Sequence, residues 1–297
     1  MRILSKLMTA GLAMAASCLP LSAAQAQDCD RECLESMITQ YVDALVARDP
    51  STLPLADDLK VTVNGNHARL GEGIWETVTG KGTFRHDYLD TSRQVAAAHV
   101  HLHQGEVPIL LSLALHIENG EIAGAESLIH ILTPDSPFQP QVLDEPVRGM
   151  DDEVPEGTQM ARGAMVTMAL NYAEGLRIGN FTDAGVVFAP EAYRVENGVI
   201  TAGEGCGFAP CGLYDQRIMV HPGLIPSVVA VDEENGTVLL WMNFGYTGSY
   251  GEDRVLVTME AFKIWGGSVH AISAFFDFLP IGASRLWPSA DPVPRIY

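Results

Sequence analysis

The chain has 297 residues, with 18 Lys+Arg against 37 Asp+Glu and five cysteines. That length suits one large domain or two smaller ones, and an apolar content of 47% excludes extended disorder. A formal charge of −19 with no basic run excludes nucleic acid and anionic membrane surfaces as partners, because both repel an acidic protein.

In chain order, residues 1–26 read as an export signal. Arg2 and Lys6 form a short basic start, Leu7 to Leu21 is apolar, and Ala24-Gln25-Ala26 is the small-x-small pattern of a cleavage site. The apolar run is too short for a membrane span, so no membrane association is expected once it is removed. A periplasmic or secreted location follows. Removal takes two cations and no anion, so the charge becomes −21, and Cys18 is lost. Cys29, Cys33, Cys206 and Cys211 remain, an even set able to pair in an oxidising compartment. Three connectivities are open, and a four-thiolate zinc site is the sharper alternative.

The rest of the chain reads as an internal repeat. A helix signal at about 30–48 (Leu34, Met37, Ile38, Tyr41, Leu45) returns at about 158–178 (Met160, Ala164, Met168, Tyr172, Leu176), apolar at threes and fours. Lys60 to Asn64-Gly65 matches Tyr193 to Asn197-Gly198. The hairpin around Asn119-Gly120 matches the one around Gly266-Gly267, since these residues tolerate the positive φ of a tight turn. The division is a first α+β unit at 27–132, a Pro- and acid-rich linker at 133–157, a second unit at 158–280 and a tail at 281–297. Each unit is helices first, then an antiparallel sheet, an α+β class.

The run Tyr41…Leu45-Val46-Ala47-Arg48-Asp49-Pro50, then Asn64-Gly65, then Leu70-Gly71-Glu72-Gly73-Ile74-Trp75, resembles a secreted family of fungi and bacteria. Val195-Glu196-Asn197-Gly198 and Val231 to Gly236 resemble its second half. That family is similar to the nuclear-transport-factor-2-like, or SnoaL-like, superfamily. The resemblance implies two tandem cone-like α+β barrels, each a curved sheet wrapped on helices around an apolar pocket. It also implies a choice of activities: dehydratases, isomerases, polyketide cyclases, epoxide hydrolases and a diarylpropane lyase share the fold with non-catalytic binding and dimerisation modules.

The chemistry-bearing residues concentrate in the first unit. His99, His101 and His103 alternate along a strand and share one face, and His116 and His130 fall on the next two strands. Neutral imidazoles suit the proton transfers of elimination and retro-aldol cleavage. Either His99 or His101 is the expected general base. Asp90 is its expected orienting carboxylate, and Tyr88 or Tyr41 the hydroxyl donor. Trp75, His103 and His116 are expected to contact substrate. His99-x-His101 with Glu106 also matches cupin ligand spacing, but Arg93 and Leu113 stand where that motif has glycines, and no metal site is assigned. In the second unit Lys263 takes the place of His116 and is expected to snorkel from the sheet surface rather than form a second polar centre with Asp277. The bulky runs around Trp241 and Phe275 suggest a structural partner. No phosphate loop, Gly-x-Gly-x-x-Gly or Gly-x-Ser-x-Gly elbow occurs, so no cofactor is expected.

The resulting expectation is an exported, cofactor-independent lyase. It would be a dehydratase or an aldehyde-releasing C–C lyase acting on a small hydrophobic, aromatic molecule such as a lignin-derived diarylpropane. The alternatives are a non-catalytic ligand-binding or assembly protein and, third, a metal-dependent cupin-like enzyme. Homo-oligomerisation is left open.

Overall fold

A computed structural model of the chain describes residues 28–136, 139–207 and 209–294. The expected signal segment lies outside the described residues. The first unit opens with α1 (Arg31–Ala47), which starts where the Asp30 carboxylate accepts the Cys33 N–H at 2.9 Å. Leu34, Met37, Ile38, Tyr41 and Leu45 form its buried stripe, as the spacing requires. Then come β1 (Leu55–Val63), β2 (Asn66–His67), the one-turn α2 (Ile74–Thr77), β3 (Gly80–Asp90), β4 (Val95–Gln104), β5 (Val107–Glu118) and β6 (Glu121–Ile131). They form one sheet in the order β2-β1-β6-β5-β4-β3, in which only β1 and β6 run parallel.

The second unit repeats this plan. It comprises α3 (Arg162–Ile178), β7 (Phe188–Glu196), β8 (Val199–Ala202), β9 (Ile225–Asp232), β10 (Thr237–Asn243), β11 (Arg254–Trp265) and β12 (Ser268–Pro280). Its sheet has the order β8-β7-β12-β11-β10-β9, and the parallel pair is β7 with β12. The repeat extends to side chains. Asn64 sits at φ 50° in the β1–β2 turn, and its carboxamide donates to the Ile129 carbonyl and accepts the Ile129 N–H. Asn197 makes the same pair of bonds with Phe276. An Asn-Gly turn thus closes each hairpin and ties it to the strand alongside.

Three expectations change. Each sheet is mixed rather than antiparallel throughout, because the first strand of each unit lies beside the last and runs parallel to it. The sheets are open, with no pairing between their edge strands, so the tandem α+β division stands while a closed cone is not seen. On α3 the buried stripe is Met165, Val166, Ala169, Leu170, Tyr172, Ala173 and Leu176, whereas Ala164 is exposed and Met168 only half-buried. Apolar residues occupy most of that helix, so periodicity alone misjudged its rotation.

Three apolar cores give the layering. One lies between α1 and the first sheet, one between α3 and the second sheet, and the third joins the outer faces of the two sheets. The result is helix, sheet, sheet, helix. A pair of crossed ion pairs stitches the seam. Arg162, first residue of α3, clamps Asp90 at the end of β3 at 2.6 Å, and Arg31, first residue of α1, clamps Asp232 at the end of β9 at 2.8 Å. Asp90 also accepts the Val231 N–H, and Asp232 the Leu89 N–H. Each unit therefore supplies one acid and one base to the other, as the two subunits of a symmetric dimer would.

The 133–157 stretch forms no helix or strand among the described residues, and it packs rather than dangles: Val147 and Met150 enter the inter-sheet core. The C-terminal tail returns across the first unit. Arg285 pairs with buried Glu126 at 2.8 Å, and the Trp287 ring stacks on His116 at 4.1 Å, above Gly124, where any Cβ would collide with it. Disulfides join Cys29 to Cys33 and Cys206 to Cys211. This resolves the open connectivity within each pair and removes the zinc alternative, since the thiolates are consumed. No helix among the described residues is long and apolar enough to cross a membrane.

Candidate functional site

The first unit holds a pocket of about 300 Å³ between α1, the first sheet and α2. Val61, Val63, Leu111 and Ile129 form its apolar wall. Tyr41 and Trp75 lie in it with ring centroids 5.3 Å apart, edge to face. Burial drives the Tyr41 phenol up, against hydrogen bonding to Trp75, so it stays a neutral hydroxyl. Exposed His67, Arg69 and Glu72 rim the mouth. Of the expected site residues, the structure brings only Tyr41 and Trp75 to this pocket.

The histidine strand faces the other way. His99, His101 and His103 do share a face of β4, but it is the face turned to the second sheet. His99 is wholly buried, with Nδ1 3.1 Å from the Tyr88 hydroxyl and 3.3 Å from Ser273 Oγ, and it stacks on Phe275 at 4.5 Å. Burial pushes its pKa down to about 3, so it is neutral at every physiological pH. His101 Nδ1 lies 3.1 Å from Asp144 of the linker, and its ring meets that of half-buried His103 at 4.5 Å. His116 stacks on Trp287, and His130 lies 3.0 Å from Asp277 of the second unit. These imidazoles join the units, linker and tail. Asp90 orients no histidine; its carboxylate is taken by Arg162 and backbone N–H groups. Alternation fixed the shared face correctly but could not say which layer that face would meet. For the cupin alternative, no group of three or more His, Cys, Asp or Glu among the described residues is placed to hold a metal ion.

At the seam, a polar cleft of about 410 Å³ is lined by Arg31, Arg85, His86, Asp87 and Asp151. His86 Nδ1 lies 2.7 Å from Asp151, and its buried Nε2 has no partner among the described residues.

The second unit contains what the sequence reading missed. Largely buried Arg194 bonds Thr201 Oγ1 at 2.8 Å, the Tyr172 hydroxyl at 2.9 Å and Gln216 Oε1 at 2.7 Å, with Glu196 at 3.3 Å. Beside it Glu260 is 1% exposed, and burial together with repulsion from Glu196 pushes its carboxyl up to about 8. A signal existed: Arg194 and Glu260 stand where the repeat has Val61 and Leu113, charges on an inward strand face. Lys263, expected at the surface, is 1% exposed, and burial lowers its pKa.

Residues 158–276, which carry α3 and this cluster, match the family described as a domain of unknown function, DUF8021. No curated protein matches the chain.

Proposed function

We propose that the protein is an exported binder of a small hydrophobic molecule carrying one hydrogen-bonding oxygen, held between α1 and the first sheet. The observation that carries this reading is the 300 Å³ pocket itself: an apolar wall, a neutral Tyr41 hydroxyl within, and the expected bases His99 and His101 on the opposite face of the sheet. The two disulfides support export. The strand order with its single parallel pair, under one helix, supports kinship to the nuclear-transport-factor-2-like cone.

Titration of the purified protein with hydroxylated aromatics and phenylpropanoid dimers, followed by tryptophan fluorescence, tests the reading. Tyr41→Phe should weaken binding of a hydroxylated ligand about tenfold, the worth of one hydrogen bond in a closed site. Equal affinity in both proteins defeats it. Lyase chemistry is the second reading, favoured by the Asp151–His86 pair at the seam cleft, a carboxylate-held imidazole whose buried Nε2 has no partner among the described residues. Turnover of the same compounds, detected by mass and abolished in His86→Ala, would establish it in place of binding alone.

A further inference from the structure

The second unit repeats part of the first pocket's lining and carries polar groups at three of its apolar wall positions. Tyr41, Val61, Val63 and Leu111 line the first pocket. The repeat puts Tyr172, Arg194, Glu196 and Thr258 in their places. In the first unit the β2–β3 connection lays Trp75 on Tyr41. In the second, the β8–β9 connection, 203–224, sends Gln216 in from above. Its Oε1 accepts from Arg194 at 2.7 Å, and its Nε2 donates to the Thr201 carbonyl. Gln216 thus presents a neutral carbonyl, with an N–H₂ donor beside it, to an arginine whose side chain is only 11% exposed.

Two further atoms lack partners there. Glu260 Oε1 and Thr258 Oγ1, two residues apart on the inward face of β11, are buried without a hydrogen bond among the described residues. In the first unit the same positions are Leu113 and Leu111, so the fold does not need polar groups there. Leaving two of them unsatisfied costs stability.

We propose that the second unit carries a binding site for a small neutral carbonyl compound, an amide, ketone or aldehyde, held closed by Gln216, whose carboxamide stands where the ligand carbonyl accepts from Arg194. Charge selects the neutral class. Glu196 already balances Arg194, and a carboxylate would add a buried anion beside Glu260 without a cation to match it. Glu260 and Thr258 are then the partners for the ligand's second polar group. The covering segment forms no helix or strand among its described residues. Cys206–Cys211 staples its start, and Tyr214, Met219 and Val220 are exposed along it.

The test uses the whole protein and benzamide as probe, by calorimetry. Gln216→Ala should bind benzamide at least tenfold tighter than wild type, and adding Glu260→Leu should remove that gain. Benzoate should bind Gln216→Ala more weakly than benzamide. In wild type, excess benzamide should speed amide hydrogen exchange across 203–224, a readout that needs no variant. Equal binding of benzamide to wild type and Gln216→Ala, with unchanged exchange across 203–224, overturns the proposal. Benzamide would then sit in the first-unit pocket or nowhere, and the reading of that pocket would stand or fall on Tyr41→Phe alone. A gain that survives Glu260→Leu, or benzoate binding tighter than benzamide, overturns it as well.

Discussion

Glu260 and His99 set opposite limits on the stability of this protein with pH. The Glu260 carboxyl rises from 4.5 to about 8 on folding. Between those values the unfolded chain has released the proton and the folded one has kept it, so stability falls by about 1.4 kcal/mol per pH unit. His99 falls from 6.5 to about 3. Between those values the unfolded chain has taken up a proton and the folded one has not, so this group lowers stability by a similar slope as pH falls. From pH 4.5 to 6.5 the two cancel; stability should decline above 6.5 and below 4.5. Glu260→Leu removes the alkaline limb. The stability difference between variant and wild type should change in the variant's favour by about 5 kcal/mol from pH 4.5 to 8. Leucine suits the site because Leu113 holds the matching position in the first unit. Other titrating groups are common to both proteins and drop out of the difference. Urea unfolding followed by tryptophan fluorescence, at half-unit pH steps, reads it. Parallel curves for the two proteins would refute the claim that a buried, uncharged carboxyl sits beneath Arg194. His99→Phe, extending the stack on Phe275, should flatten the acid limb and leave the alkaline one.

Arg162→Met strands the Asp90 carboxylate, which is 0% exposed, without its cation, and should destabilise the protein by about 3 kcal/mol in urea unfolding. A loss below 1 kcal/mol would mean the crossed ion pairs do not hold the seam. Gly124→Ala forces the Trp287 ring off His116. Its expected cost is about 1–3 kcal/mol, with a red-shifted tryptophan emission, and an unshifted spectrum would argue against the tail's docking there.

Much of the architecture was legible in the chain. Asn64-Gly65 and Asn197-Gly198 announced matching hairpins because their residues adopt the left-handed region without strain, and both occur as turns at φ 50° and 47° for the asparagines. The α1 stripe was readable because polar residues separate its apolar positions. The α3 stripe was not, because its alanines and methionines supply apolar side chains on nearly every face. Of the site, Tyr41 and Trp75 were readable: an aromatic on an apolar helix face and another beside glycines point inward. His99, His101 and His103 drew attention for their chemistry, yet their role depends on the second sheet, which sequence alternation does not mention.

By itself the sequence determined the repeat, the α+β class and the tandem units, because these follow from local periodicity and turn chemistry. Tertiary structure decided which face of each sheet meets a helix and which meets the other sheet. That choice turned the expected catalytic histidines into the buried lining of a seam. It also turned Arg194 and Glu260 from strand residues of an apparently structural half into a buried polar centre, because the cost of charge depends on what surrounds it.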